Sequence, residues 1–230
     1  MSLFPAMLPR TGNLPPGIDL RCCDVADLLR EVRNARLVIA DPPWQYSEGA
    51  AGKGAAQPEL NGIFKCVTDA MIVAHLDATY DCAGLNARLA VWYTFPKDAE
   101  WSEAGNAGKR WGKRVSGGAW IKTMQVGVGY HWRGAVEPVA LFTKGATGRP
   151  TSLLLNGHAE PPQEHSAKPI AWMRQWIRAW TEPGDLVFDV YTGLGSVAVA
   201  CALEGRRYVG AEIDPERHRL AVLNVQEAVT

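Results

Sequence analysis

The clearest chemistry in this sequence sits at the end of an apolar run. Leu37-Val38-Ile39-Ala40 is followed at once by Asp41-Pro42-Pro43-Trp44. Neither proline can donate to a sheet ladder, so the strand must stop there with the acid at its tip. The carboxylate of Asp41 and the main-chain carbonyl of Pro42, aimed by rigid neighbours, make a pair of hydrogen-bond acceptors. Such a pair suits an exocyclic amine, whose lone pair is delocalised into its ring and must be drawn out of conjugation before it attacks a methyl donor. Two acceptors on the amine hydrogens stabilise the positive charge that develops on nitrogen. Fixing the amine in line with the methyl group adds a proximity contribution. A base within a duplex reaches such a pocket only by flipping out. Trp44 offers it a stacking face, worth about 1–3 kcal/mol per base. Asp41, Pro42, Pro43 and Trp44 are therefore the catalytic candidates.

A second constellation lies far down the chain, in LVFDVYTGLGSVA at 186–198. A buried strand delivers Asp189; Tyr191, Gly193 and Gly195 follow, and a helix begins. Glycines there allow a tight turn and close backbone approach to a ligand. Ala198 completes a G-x-G-x-x-A pattern, and Glu212 ends the next strand, where an acid can bind ribose hydroxyls. The glycine loop by itself fits NAD and S-adenosylmethionine equally. The amine clamp at Asp41 asks for a methyl donor.

These residues need strand ends that meet at one edge. A short strand is expected from Ile18 to Cys23, a helix over 25–34, and a strand over 37–40. A helix is expected within 67–77 and strands at 88–94, 119–123 and 136–143. The C-terminal part reads as helix 169–180, strand 186–190, helix 195–204, strand 207–213 and helix 215–228. Strand runs without polar alternation, separated by helices, indicate an α/β fold with a doubly wound, mostly parallel sheet covered on both faces. Only the last helix follows Glu212 in this sequence, so the other strands come from upstream, in circularly permuted order. The whole of 1–230 reads as one domain. Residues 1–17 would form an irregular arm, and 48–62 and 97–118 substrate-side loops.

The totals narrow the function classes. Lys+Arg and Asp+Glu both number 24, so any nucleic-acid partner must be held by a local patch. The best candidate patch is Lys109, Arg110, Lys113 and Arg114, interleaved with Trp111. The five cysteines, with no CxxC spacing, suit a reduced, cytoplasmic protein without a cysteine-built metal site. The N-terminus lacks the apolar core of a signal peptide, and no membrane span is expected. Trp172, Trp176 and Trp180, spaced by four, read as core, and Cys22, Cys23 and Cys201 as small buried apolar residues.

Together the motifs resemble the amino-methyltransferases of nucleic acids. Asp41-Pro42-Pro43-Trp44 is similar to their catalytic motif, and Asp189-Val-Tyr-Thr-Gly-Leu-Gly-Ser196 to their S-adenosylmethionine motif. The catalytic motif comes first, as in the beta-class order of DNA methyltransferases. Trp44, the stretch GVGYHWRGAVEPVALFTKG at 127–145 and His165-Ser166-Ala167-Lys168-Pro169 resemble the mRNA adenosine methyltransferase large-subunit family and its bacterial and phage relatives.

That resemblance implies an S-adenosylmethionine-dependent adenine-N6 methyltransferase with a Rossmann-like fold, with no metal, in a bacterium or phage. Asp24 would contact the cofactor's adenine and Glu212 its ribose. Lys168 and Ser166 would lie near the methionine carboxylate. Asp189, Gly193 and Gly195 would line the methionine end, and Tyr191 would be a further cofactor-binding residue. The intact glycine loop leans towards DNA rather than RNA, and an acidic Asp41 towards adenine rather than cytosine. The same chemistry on RNA or on cytosine-N4, a catalytically silent nucleic-acid-binding subunit and a nicotinamide oxidoreductase are the competing readings. Arg133 and Glu137 would pair or touch the substrate. The oligomeric state stays open, with a homodimer among the options.

Overall fold

The computed structural model describes residues 14–43, 68–93, 110–112, 115–121, 136–145 and 168–230. Among them, seven strands form one sheet. They are β1 (Ile18–Cys22), β2 (Ala35–Ala40), β3 (Ala83–Trp92), β4 (Ser116–Ile121), β5 (Val136–Lys144), β6 (Leu186–Asp189) and β7 (Arg207–Glu212). The spatial order is β1-β7-β6-β2-β3-β5-β4. β1, β7, β6, β2 and β3 run parallel, and β5 is antiparallel to both β3 and β4. This is the expected mostly parallel, doubly wound sheet.

Among the described residues five helices cover it: α1 (Val25–Glu31), α2 (Asp69–Cys82), α3 (Ile170–Trp180), α4 (Ser196–Glu204) and α5 (Pro215–Ala228). Alternation along the strands feeds two separate cores. Leu37, Ile39, Ala90 and Trp92 join Trp172, Trp176, Val199 and Val222 from α3, α4 and α5. Val38, Ala40, Leu89 and Val91 face the other way, onto Leu28, Ile72 and Leu76 from α1 and α2. Apolar side chains at both strand faces leave the parallel strands no wet side. The tryptophans of α3 are core, as their four-residue spacing indicated. Cys82 and Cys201 are also buried, whereas Cys22 and Cys23 are only half-buried.

Boundaries differ from expectation for local reasons. α1 stops at Glu31 rather than continuing to 34, because Val32 turns extended and Asn34 takes a left-handed φ of 61°. α2 runs past 77 to Cys82, since Leu76, Thr79 and Cys82 all find burial. β3 starts at once at Ala83, not at 88. β4 starts at Ser116, before the expected 119. A Cβ on Gly117 would stand 2.9 Å from the Val139 carbonyl oxygen, so glycine there lets β4 lie close against β5.

Candidate active site

The strand register brings the functional side chains to one edge. Cys22 pairs with Glu212, Asp189 with Gly210, and Ile39 with Asp189, so the carboxyl ends of β1, β7, β6 and β2 lie level. Antiparallel β5 reaches the same edge with its beginning: Val139 pairs with Trp92 at the end of β3, and Glu137 stands just before it. From β2 the chain winds outward to β3, and from β6 it winds the other way to β7. The crevice between β2 and β6 is thus a topological switch point, the usual place for ligands in such sheets. Asp41 and Asp189 emerge on its two sides.

The glycine loop follows β6. Gly193 and Gly195 have φ of 56° and 83°, a left-handed backbone in which other residues are strained. Gly195 also packs against α5, where a Cβ would come within 3.0 Å of the Ala221 Cβ. Glu212 holds this loop from β7: its Oε2 accepts from the Gly193 N–H at 2.8 Å and its Oε1 from the Asp214 N–H at 3.0 Å. Burial raises its pKa although both N–H groups oppose the rise.

Asp189 is only 2% exposed. The Tyr208 hydroxyl donates to its Oδ2 at 3.1 Å and itself pairs with Thr192 Oγ1 at 2.9 Å. Burial pushes the Asp189 carboxyl up to about 7, helped by the nearby charge of Asp41 and opposed by the Tyr208 hydrogen bond.

Lys168 approaches from the chain just before α3. Its Nζ donates to Asp41 Oδ2 at 2.5 Å and lies 3.2 Å from Glu137 Oε2. It also sits 5.7 Å from the centre of the Trp92 ring. Burial disfavours the ammonium, yet Asp41 and Glu137 outweigh it and raise the Lys168 pKa. The structure therefore places Lys168 against the candidate catalytic acid.

Asp24 ends the turn after β1 and caps α1, its Oδ1 accepting from the Ala26 N–H at 2.9 Å. Its charge acts on both Tyr191 and His75. His75, on α2, had no signal in the sequence; its Nδ1 lies 3.1 Å from the Tyr191 hydroxyl. Burial lowers the His75 pKa and raises that of Tyr191. The strut between α2 and the cofactor-type loop is a purely tertiary contact.

Of the expected basic patch, Arg110 is described, and it forks onto Asp81 with two contacts of 2.5 Å. Trp111 is buried, donating from Nε1 to Leu76 O and Thr79 Oγ1, and so offers no stacking face to a base. Trp44, Lys109, Lys113, Arg114, Arg133, His165 and Ser166 lie outside the described residues. Among the described residues, no cluster of three or more His, Cys, Asp or Glu could hold a metal ion, and no helix is long and apolar enough to cross a membrane.

Known proteins share stretches of this sequence and its fold. M.XycI, a type II methyltransferase of Xanthomonas campestris pv. cyanopsidis, is 35% identical over 99 residues, covering 42% of this chain and 32% of its own length. The chain thus matches about a third of that relative, and less of M.Cfr9I from Citrobacter freundii, which is 45% identical over 58 residues, 25% of this chain and 19% of its own. The M1.HpyAVI–SAM complex has the same fold, with a TM-score of 0.66 and 15% identity over 90% of this chain and 98% of its own. The cytosine-N4-specific PvuII DNA methyltransferase follows with a TM-score of 0.61 and 15% identity over 94% and 91% of the two chains. Residues 102–223, more than half the chain and including the glycine loop and Lys168, match the DNA methylase family, and the chain belongs to it.

Proposed function

We propose that the protein transfers a methyl group from S-adenosylmethionine to the N6 amine of adenine in DNA. The observation that carries this reading is the placement of Asp41 opposite the Asp189–Gly193 loop at the switch point. Asp24, Asp41, Asp189 and Glu212 converge on one strand edge. Even with the Lys168 ammonium on Asp41, these acids suit a cationic sulfonium ligand better than the anionic pyrophosphate of NAD. Asp189 is burdened by neighbouring negative charge, and a cation there would relieve it.

S-adenosylmethionine, when bound, supplies an electrophilic methyl group. Gly193 and Gly195 would let the backbone approach it, Glu212 retains lone pairs for ribose hydroxyls, and Tyr191 with Asp24 would border the adenine end. Asp41 and the Pro42 carbonyl accept from the amine of a flipped base, orient its lone pair and stabilise the charge it gains. The bond formed is nitrogen to methyl carbon and the bond broken is methyl carbon to sulfur, leaving S-adenosylhomocysteine; the methylated amine then loses its proton to Asp41 or to water. Trp44 would stack on the base. Lys109, Lys113 and Arg114 would contact phosphate. This reading needs no metal. It also treats 1–230 as one catalytic domain in a bacterial or phage cytoplasm.

The family match and the type II relatives support DNA. The narrower likeness to mRNA adenosine methyltransferases rests on the sequence motifs alone. Cytosine-N4 is the second reading, favoured by the fold shared with a cytosine-N4 enzyme. One experiment separates these. The protein is incubated with labelled S-adenosylmethionine and single-stranded DNA, duplex DNA or RNA, and the methylated nucleoside is identified after digestion. N6-methyladenine in DNA is expected. Asp41→Ala should abolish transfer and keep cofactor binding; an active Asp41→Ala variant overturns the catalytic assignment.

A further inference from the structure

Lys168 poses a problem for the candidate catalytic acid. Its Nζ is 2.5 Å from Asp41 Oδ2, a charge-assisted contact that draws on the same electron density the substrate amine requires. An Asp–Lys pair alone would also be neutral, and poorly matched to a cation developing beside it. Glu137 alters both points. Its Oε2 stands 3.2 Å from the same ammonium. The ammonium has three donors, so it can serve both carboxylates. Among the described residues two carboxylates meet one ammonium, an excess of one negative charge, and Lys168 is held between two anchors, at 2.5 Å from Asp41 and 3.2 Å from Glu137.

The elements explain why this cluster is reproducible. Asp41 leaves parallel β2, Glu137 enters antiparallel β5, and Lys168 directly precedes α3, which is anchored by buried Trp172 and Trp176. Trp92, at the end of β3 between β2 and β5, provides the floor under the ammonium.

We propose that Glu137 is a positioning residue for methyl transfer: by sharing the Lys168 ammonium, it leaves Asp41 able to accept from the substrate amine. This rests on the methyltransferase reading above. The groups facing Lys168 are Asp41 from β2, Glu137 from β5 and the Trp92 ring from β3, with Asp189 of β6 acting on Asp41.

The test is Glu137→Gln, which keeps size and hydrogen-bonding capacity and removes the charge. Its kcat should fall about 10–100-fold through misplacement of the acceptor. The KM and Kd for S-adenosylmethionine should stay within about twofold. Lys168 anchors Asp41 in place only while it is charged, and Glu137 helps hold it charged, so the alkaline limb of the kcat–pH profile should move to lower pH. Glu137→Asp should recover part of kcat. A Glu137→Gln protein with wild-type kcat, or one whose losses follow melting temperature with an unmoved alkaline limb, overturns the proposal. Wild-type protein that methylates no nucleic acid overturns the functional reading itself, a result distinct from an active wild type with an equally active variant.

Discussion

Asp189→Asn should make the cofactor-free protein more stable at mildly alkaline pH, and the gain should shrink on acidification. The carboxyl is 2% exposed, and its pKa is raised from 3.8 to about 7, first by burial and then by Asp41. A folded-state pKa above the unfolded one means that the folded state binds the proton more tightly. The group therefore favours folding only as the acid, and its contribution declines as pH rises from about 3.8 to about 7. A rise of about three units corresponds to about 4 kcal/mol of penalty once the group is fully ionised. About 2.5 kcal/mol of that penalty accrues between about pH 5 and pH 8. Asparagine carries none of it and can still accept from the Tyr208 hydroxyl, at a cost of about 1 kcal/mol for the weaker bond. Urea unfolding of both proteins at the two pH values measures the difference. The advantage of the variant should grow by about 2.5 kcal/mol from the lower pH to the higher. A difference that is constant across this range refutes the reasoning, because it would mean that Asp189 titrates alike in the folded and unfolded chains.

Two further outcomes follow from the loop. Gly195→Ala should lose about 2–4 kcal/mol of stability, from the left-handed backbone and from the crowded Ala221 contact, measured by denaturant midpoint. His75→Phe keeps the ring and removes the tie to Tyr191, so S-adenosylhomocysteine binding should weaken about three- to tenfold by calorimetry; unchanged affinity would leave the tie without a binding role.

The sequence by itself determined the strand ends and what they carry. Two prolines after Ala40 terminate β2 and leave Asp41 at its tip, a local consequence of missing N–H groups. The glycines after Asp189 likewise mark a left-handed turn, whatever surrounds it. Uninterrupted apolar runs specified a sheet covered on both faces. Tertiary structure decided the partnerships. Lys168 and Asp41 are distant in sequence, and only the docking of α3 beside β2 makes them an ion pair. The antiparallel direction of β5 decides that Glu137, rather than a residue at that strand's far end, meets the ammonium. His75 of α2 reaches Tyr191 although 116 residues separate them, and Trp111 is core because the same helix covers it. Local chemistry dictates where a chain must turn, but a buried charge can be placed only when the opposing charge has a position, and that position comes from the packing of the whole sheet.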